Sequence, residues 1–445
     1  MTELPAATEA AVLAQIDAMR DEVIAAIQEL VRIPSVTPKY PGLDVTPYVG
    51  GEGRCNEALA PHFADAGAQN DLWEEEPGRA NLVGVISGSG DGRSLIFNGH
   101  IDTVPPGDPT TWMGGDPFSG RVDGDRLYGL GAVDMKAGIV AATKAMAALR
   151  RCGVQLAGDV ILESVVGEET MDHEVGVSAT VRRGYRADAA VVVEPTGFGA
   201  PPTIAPCSAG VMQLTIDVPG KATHVMARGS LIWPGGAGEQ FGVNAIDKGY
   251  LVYEALRQLE QTWGFTRTHP LFAPGHFNLG VNVMFGRPPG PPVPFIVPHI
   301  CTLEVIVIYP PDVAAEEIRA EVEAHIGRAC DQDPWLREHR PVLRWVHHWP
   351  PYAQPGDHPI CETLMAAYAQ AQGQPATLAG FPAVDDATWL ERGGIPAISY
   401  GPGNVMMAHA VDEFVPISEV MDACKIYALA AMAWCGVVRD GSKDA

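Results

Sequence analysis

Three short apolar runs, each ending in an acid or an imidazole, constrain this chain most. They are SLIFNGH (94–100), DVILESVVGEE (159–169) and AAVVVEP (189–195). Runs this apolar, without alternation, read as strands buried on both faces, as in a parallel sheet covered by helices. Between the first two lies AGIVAATKAMAALRRCG (137–153), an Ala-rich helix with Gly153 at its stop. Upstream, Val12, Ile16, Met19, Val23, Ile27, Leu30 and Val31 recur at helical spacing, and that helix ends before Pro34. A second helix is expected over 55–67, and NLVGVISG (81–88) reads as another strand. Alternating β and α units predict an α/β domain with a mainly parallel sheet.

The pattern changes near Cys207. GVMQLTIDVPG (210–220) alternates like a half-exposed strand. A helix over 243–263, strands at 277–285 and 300–308, a helix over 313–330 and a strand at 342–347 follow. This β-α-β-β-α-β order is that of a ferredoxin-like α+β domain. HHWPPYAQPGDHP (347–359) reads as a return linker. A helix at 359–372, a strand at 397–400 and a helix at 417–437 resume the first style. The expected organisation is an α/β domain in two parts, 1–207 and 349–445, interrupted by a smaller domain over 208–348.

Bulk properties exclude several classes. A chain of 445 residues, 47% hydrophobic and 19% charged, can bury a large core. A net charge of −24 repels nucleic acid and anionic membranes. The N-terminus lacks a basic stretch followed by an apolar core, and no uncharged apolar run approaches a membrane span. The eight cysteines are scattered without a CxxC pair, as free thiols in a reducing cytosol would be. The expectation is a cytoplasmic protein acting on a small molecule, with neither nucleic acid nor membrane as partner.

Acidic and His residues gather where strands end, which is where open α/β sheets form sites. His100 and Asp102 follow an apolar strand, and at i and i+2 they point the same way. Asp102 can then support the ring nitrogen of His100 that faces away from a metal, although for HxD alone an ordinary loop histidine is the commoner reading. Asp134 sits among Gly129, Gly131 and Gly138 at a turn into a helix, where an Asp also serves as an N-cap. Adjacent Glu168 and Glu169 close a buried strand, where two carboxylates repel unless a cation or proton compensates them. Glu194 ends another strand, and His409 lies in a Gly-rich loop.

GHIDTVP (99–105), GLGAVDMKAG (129–138), GEE (167–169), EPT (194–196), GKATH (220–224) and GPG with AHAVDEF (401–414) stand in this order along nearly the whole chain. In this the chain resembles the family of acetylornithine deacetylase, succinyl-diaminopimelate desuccinylase, aminoacylase and the glutamate-releasing carboxypeptidases. The resemblance implies two divalent metal ions, zinc in the first place, with cobalt or manganese also suited to imidazole and carboxylate donors. It implies that Asp134 bridges them, with His100 and Glu194 on one ion and Glu169 and His409 on the other. Glu168 matches the general base and Asp102 the carboxylate behind His100. His224 matches a lid histidine that enters the partner subunit's site in a homodimer and stabilises the oxyanion. A cis peptide is implied at Asp134–Met135. Three ligand carboxylates against two divalent ions leave one positive charge, which favours deprotonating a bound water near neutral pH.

The chain also departs from the family's pattern. Phe295, Tyr309 and Thr388 stand where polar or cationic groups are usual, so the bidentate partner for a substrate carboxylate is missing. An extra stretch, ARGSLIWPGGAGEQFGVN (227–244), carries Leu231, Ile232 and Trp233, and GRPPGPPVP (286–294) looks inserted. Together with Phe295 and Tyr309, Trp233 offers apolar surface for an aromatic substrate. Arg228 and Arg287 are candidate replacement clamps. The expected function is hydrolysis of the amide bond of a small N-acyl amino acid-like or aromatic substrate. An exo- or dipeptidase is the alternative on the same scaffold. A noncatalytic binding protein would have lost Glu168 or a ligand.

Overall fold

The computed structural model describes residues 6–438 apart from positions 41, 43, 234, 236, 237 and 292. The ends of the two outer segments, and parts of the 227–244 and 286–294 insertions, therefore lie outside the described residues. The chain forms two compact units. The first runs to Cys207 and takes up again with Gln354–Phe381 and from Asp385 onward; the second is Ser208–Ala353 with Pro382–Val384.

The first unit is built on a six-stranded sheet. Its strands, in spatial order, are Gln69–Glu74, Ala80–Ile86, Val160–Val165, Leu95–His100, Ala189–Val192 and Ala397–Ser399. The last four run parallel, and the first two add antiparallel pairings at one edge. Every residue of Leu95–His100 and Val160–Val165 is buried, as a sheet covered on both faces requires. Helices Ala137–Arg151 and Ile417–Cys435 pack on each other and on Ala6–Ala18, while Gly51–Asp65 packs on the antiparallel edge. The N-terminal apolar stripe falls on two helices, Ala6–Ala18 and Arg20–Val31, with a turn at Met19. Both halves still bury the same stripe, from Val12 to Val31. A three-stranded antiparallel sheet of Arg121–Asp123, Arg126–Tyr128 and Phe414–Pro416 has no counterpart in the sequence reading. Its strands are too short to show a period.

In the second unit four antiparallel strands lie in the order Leu279–Arg287, Ile300–Tyr309, Gly210–Pro219, Val342–Trp349. Ile300–Tyr309 alternates buried and half-buried along its length, which sets one face against helices Ala245–Thr266 and Ala315–Asp331. Leu214, Ile216, Val252, Trp263, Leu303, Ile318 and Val322 fill the layer between. Each such side chain contributes roughly 1.5–3 kcal/mol by its burial. No helix among the described residues is long and apolar enough to cross a membrane.

Candidate metal centre

Parallel pairing sets strand ends side by side, and the first unit uses those ends. Leu95–His100 terminates in His100, and its two neighbours lead into Gly167–Glu169 on one side and Glu194 on the other. Gly167 turns the chain at φ +91°, and a Cβ there would stand 2.7 Å from the Asp172 carbonyl oxygen. His409, itself at φ +60°, arrives on the loop that follows Ala397–Ser399. Asp134 comes from the tight turn before helix Ala137–Arg151, and its peptide to Met135 is cis.

These side chains meet in two clusters that share Asp134. In the first, His100 Nε2 lies 3.0 Å from Asp134 Oδ1 and 3.4 Å from Glu194 Oε1. In the second, His409 Nε2 lies 3.3 Å from Asp134 Oδ2 and 2.9 Å from Glu169 Oε2. The two oxygens of one carboxylate thus face two different imidazoles. Donors about 2.0–2.2 Å from one tetrahedral ion stand roughly 3.3 Å apart, so both clusters have the spacing of ligand shells. The donor set of imidazoles and carboxylates without thiolate fits zinc, cobalt or manganese.

Supporting groups fix this arrangement. His100 Nδ1 donates to the backbone carbonyl of Asp102 at 3.0 Å, while the Asp102 carboxylate stands off at 3.6 Å. That carboxylate instead accepts the backbone N–H groups of Gly167 at 3.0 Å and Glu169 at 3.3 Å. Asp102 therefore serves the His100 ring through its main chain and the Glu169 loop through its side chain. Glu413, which had no role in the sequence reading, is fully buried and accepts the N–H of Val133 at 3.0 Å and of Asp134 at 3.4 Å. The only advance sign of it was its place in AHAVDEF. Glu168 belongs to neither cluster but lies near enough to His100, Glu194 and Glu169 for their charges to act on it.

Electrostatics show how much negative charge is confined here. Burial, then the charge of Asp134, pushes the Glu194 carboxyl up to about 8 in spite of His100. Burial likewise pushes Glu168 well above the ordinary carboxylate range. Burial opposes a charge on His100, but Asp134 and Glu194 outweigh it and hold the imidazole well above its usual value. His409 is raised in the same way by Asp134 and Glu169, against its burial. Without a cation the site thus compensates its carboxylates with protons.

The first unit brings together His100, Asp102, Asp134, Glu168, Glu169, Glu194 and His409. His224 lies in the second unit, exposed, in a two-stranded ladder of Thr223–His224 with Ile296–Val297. Its Nδ1 accepts the Met226 N–H at 3.2 Å. Tyr309 corrects an expectation: it is buried in the core of the second unit, its hydroxyl 2.7 Å from His348 Nε2, and offers no apolar surface to a ligand. Thr388 is fully buried as well. Phe295 and Trp233 are about two-thirds exposed, at 64% and 66%. Arg228 is paired with Asp247, and Arg287 with Asp217 and Thr302.

The sequence profile of peptidase family M20/M25/M40 matches residues 96–433. A Bacillus subtilis protein named N-formyl-4-amino-5-aminomethyl-2-methylpyrimidine deformylase is 32% identical over 389 residues, 85% of this chain and 88% of that protein. A succinyl-diaminopimelate desuccinylase of Methylocella silvestris is 29% identical, covering 90% of this chain and 95% of its own. Among solved structures, human carnosine dipeptidase 1 superposes with a TM-score of 0.70 at 16% identity, covering 97% of this chain and all 100% of that one, a likeness of fold.

A divalent ion entering these clusters at neutral pH must displace protons, because Glu194 keeps its own up to about 8 and His100 is also raised. Groups with raised values are protonated below them, so metal affinity falls as pH falls. The apparent dissociation constant for zinc is expected to tighten about tenfold per pH unit for each proton displaced. Titration of metal-free protein in weak buffer with a pH indicator measures the release directly. An affinity indifferent to pH across the neutral range would contradict this electrostatic account.

Proposed function

The chain belongs to peptidase family M20/M25/M40, and on that premise we propose its site roles, assembly and substrate class. It is a metal-dependent hydrolase of amide bonds. The observation that carries the site reading is the Asp134 carboxylate, one oxygen turned to His100 and the other to His409. We assign it the bridge between two divalent ions, preferentially zinc, with His100 and Glu194 on one and Glu169 and His409 on the other. When bound, the ions polarise the scissile carbonyl and acidify the attacking water. The Glu168 carboxylate, beside the ligands but outside both clusters, takes that water's proton and delivers it to the leaving nitrogen. Asp102 fixes the His100 tautomer through its carbonyl.

With Nδ1 of His224 accepting from Met226, the neutral ring carries its proton on Nε2, a donor free to face an oxyanion. We read the second unit as a lid and dimerisation domain over 208–348, and the protein as a homodimer in which His224 completes the partner's site. Its edge strand Leu279–Arg287 with exposed Val283 and Phe285, and exposed Ile246 and Tyr250 on the helix beside it, supply an apolar surface for such pairing. A cytoplasmic location is in keeping with eight free cysteines, seven of them buried.

For the substrate we favour an N-formyl or other N-acyl amine on an aromatic ring, without an α-carboxylate. The Bacillus subtilis relative is named for an N-formylated aminomethylpyrimidine. The positions of the usual arginines hold Tyr309 and Thr388, and Arg228 and Arg287 are neutralised by aspartates. Phe295 and Trp233 present aromatic surface on the second unit.

Metal-loaded protein is expected to show kcat/KM for N-formyl-4-amino-5-aminomethyl-2-methylpyrimidine about a hundredfold or more above that for N-acetylornithine, succinyl-diaminopimelate or dipeptides. A preference for any of those charged substrates overturns the substrate reading. Assembly is tested by mixing two impaired variants, His224→Ala and Glu168→Gln, under conditions of subunit exchange. A mixed dimer then contains one site with intact Glu168 and an intact partner histidine, and activity should return. Verified mixed dimers without recovery rule out the role in trans.

A further inference from the structure

The loop from Gly167 to Gly176 carries Glu168 and Glu169, and it bulges from the end of one strand before re-entering the fold. Two residues at the start of the neighbouring strand, Arg79 and Asn81, close it. The Asn81 side chain is fully buried and spans the loop's base. Its Oδ1 accepts the Val166 N–H at 3.1 Å, and its Nδ2 donates to the Val175 carbonyl at 2.7 Å. The two ends are pressed together at that point: a Cβ on Gly176 would stand 2.0 Å from the Val166 carbonyl oxygen. Arg79, 3% exposed, donates from Nη1 to Asp172 Oδ2 at 2.8 Å. Asp172 lies in the second half of the loop, and its N–H closes onto the Gly167 carbonyl at 2.7 Å.

The guanidinium is itself held from behind. Glu52, on helix Gly51–Asp65, takes Nε at 2.8 Å and Nη2 at 3.0 Å in a bidentate pair. Burial opposes the charge on Arg79, but Glu52 and Asp172 outweigh it and keep the group cationic. Asn56 of the same helix donates to the Ala80 carbonyl at 2.7 Å, which anchors the backbone between the two clamp residues. On the site's own side, Asp102 takes the N–H groups of Gly167 and Glu169. The segment is thus fixed at its base by an amide, across its far half by an arginine, and along its first three residues by a carboxylate.

We propose that Arg79 and Asn81 are positioning residues, which hold Glu168 and Glu169 in working geometry by locking the Gly167–Gly176 loop. This rests on the roles given above to Glu168 and Glu169. A base misplaced by about an ångström loses much of its rate advantage while substrate binding elsewhere is untouched. A ligand on a loosened loop holds its ion less well. Neither clamp residue touches the reacting atoms; both act through the loop.

Two variants separate this from general stability. Asn81→Ala removes the tie across the base. Asp172→Ala removes the arginine's purchase, together with a 2.6 Å contact to Lys39, from a partly exposed position and leaves the Arg79–Glu52 pair intact, so it carries the test if Asn81→Ala folds poorly. Hydrogen exchange of metal-free protein is expected to speed up about tenfold or more at residues 167–175 in both, with helix Ala137–Arg151 as protected as before. With N-formyl-4-amino-5-aminomethyl-2-methylpyrimidine, kcat should fall about tenfold or more while KM stays within about threefold. Unchanged exchange in the loop, or faster exchange with an unchanged kcat, overturns the proposal. Glu168→Gln assayed in parallel reports on the underlying reading alone: wild-type turnover there removes the base itself, whereas a large loss with fully active clamp variants removes only the clamp.

Discussion

Confined negative charge is the constraint on which the rest of this structure depends. Asp134, Glu169 and Glu194 converge, buried or half-buried, with the buried imidazole of His100 and the exposed one of His409, and Glu168 stands beside them. Carboxylates this close, away from water, repel strongly and must be compensated by protons or by cations. Without ions, protons would serve: burial and then Asp134 raise Glu194, while the carboxylates raise His100 and His409 against desolvation. Two divalent ions between the same oxygens would compensate them better, with attraction replacing repulsion along each edge of the site. The geometry of Asp134, with its two oxygens turned to separate histidines, has no use in a single ion pair.

The fold meets that constraint by stacking several rigid supports. Parallel strands bring His100, Glu169 and Glu194 to one end of the sheet. The bridging carboxylate does not come from a strand end but from a tight turn, and the turn needs its own anchor. Glu413 gives it one by accepting the N–H groups of Val133 and Asp134. Lys136, also buried, donates to the Leu30 and Ile33 carbonyls and ties the turn to the N-terminal helix pair. The Glu168–Glu169 loop is gripped by Asp102, Asn81 and Arg79. The turn that carries Asp134 and the loop that carries Glu169 thus hang on separate sets of contacts.

Much of this was legible in the sequence because it is written in local patterns. Uninterrupted apolar runs announced the buried strands, and alternation announced Gly210–Pro219. The order of motifs pointed to the residues that the structure brings together. What escaped depends on long-range geometry. The strands of three residues at Arg121–Asp123 and Arg126–Tyr128 carry no period to read. Tyr309 looked like pocket surface because a missing arginine drew attention to the position, yet the alternation of its own strand turns it into the core. Asp102 was expected to hold His100 with its carboxylate; the i, i+2 relation does bring the two together, but the carbonyl is the closer acceptor. Glu413 and Asn81 act on backbone groups, and Arg79 on the Glu52 and Asp172 carboxylates, all far along the chain; beyond the place of Glu413 in AHAVDEF, their neighbourhoods in sequence do not show these partners.

The central claim is that Asp134 bridges two ions, and a crystal of the zinc-loaded protein examined by anomalous scattering tests it most directly. The account predicts two peaks about 3.5–4 Å apart, one beside His100 and Glu194, the other beside Glu169 and His409, with an Asp134 oxygen on each. A single peak at full zinc loading, or two peaks with Asp134 bound to only one of them, would contradict it.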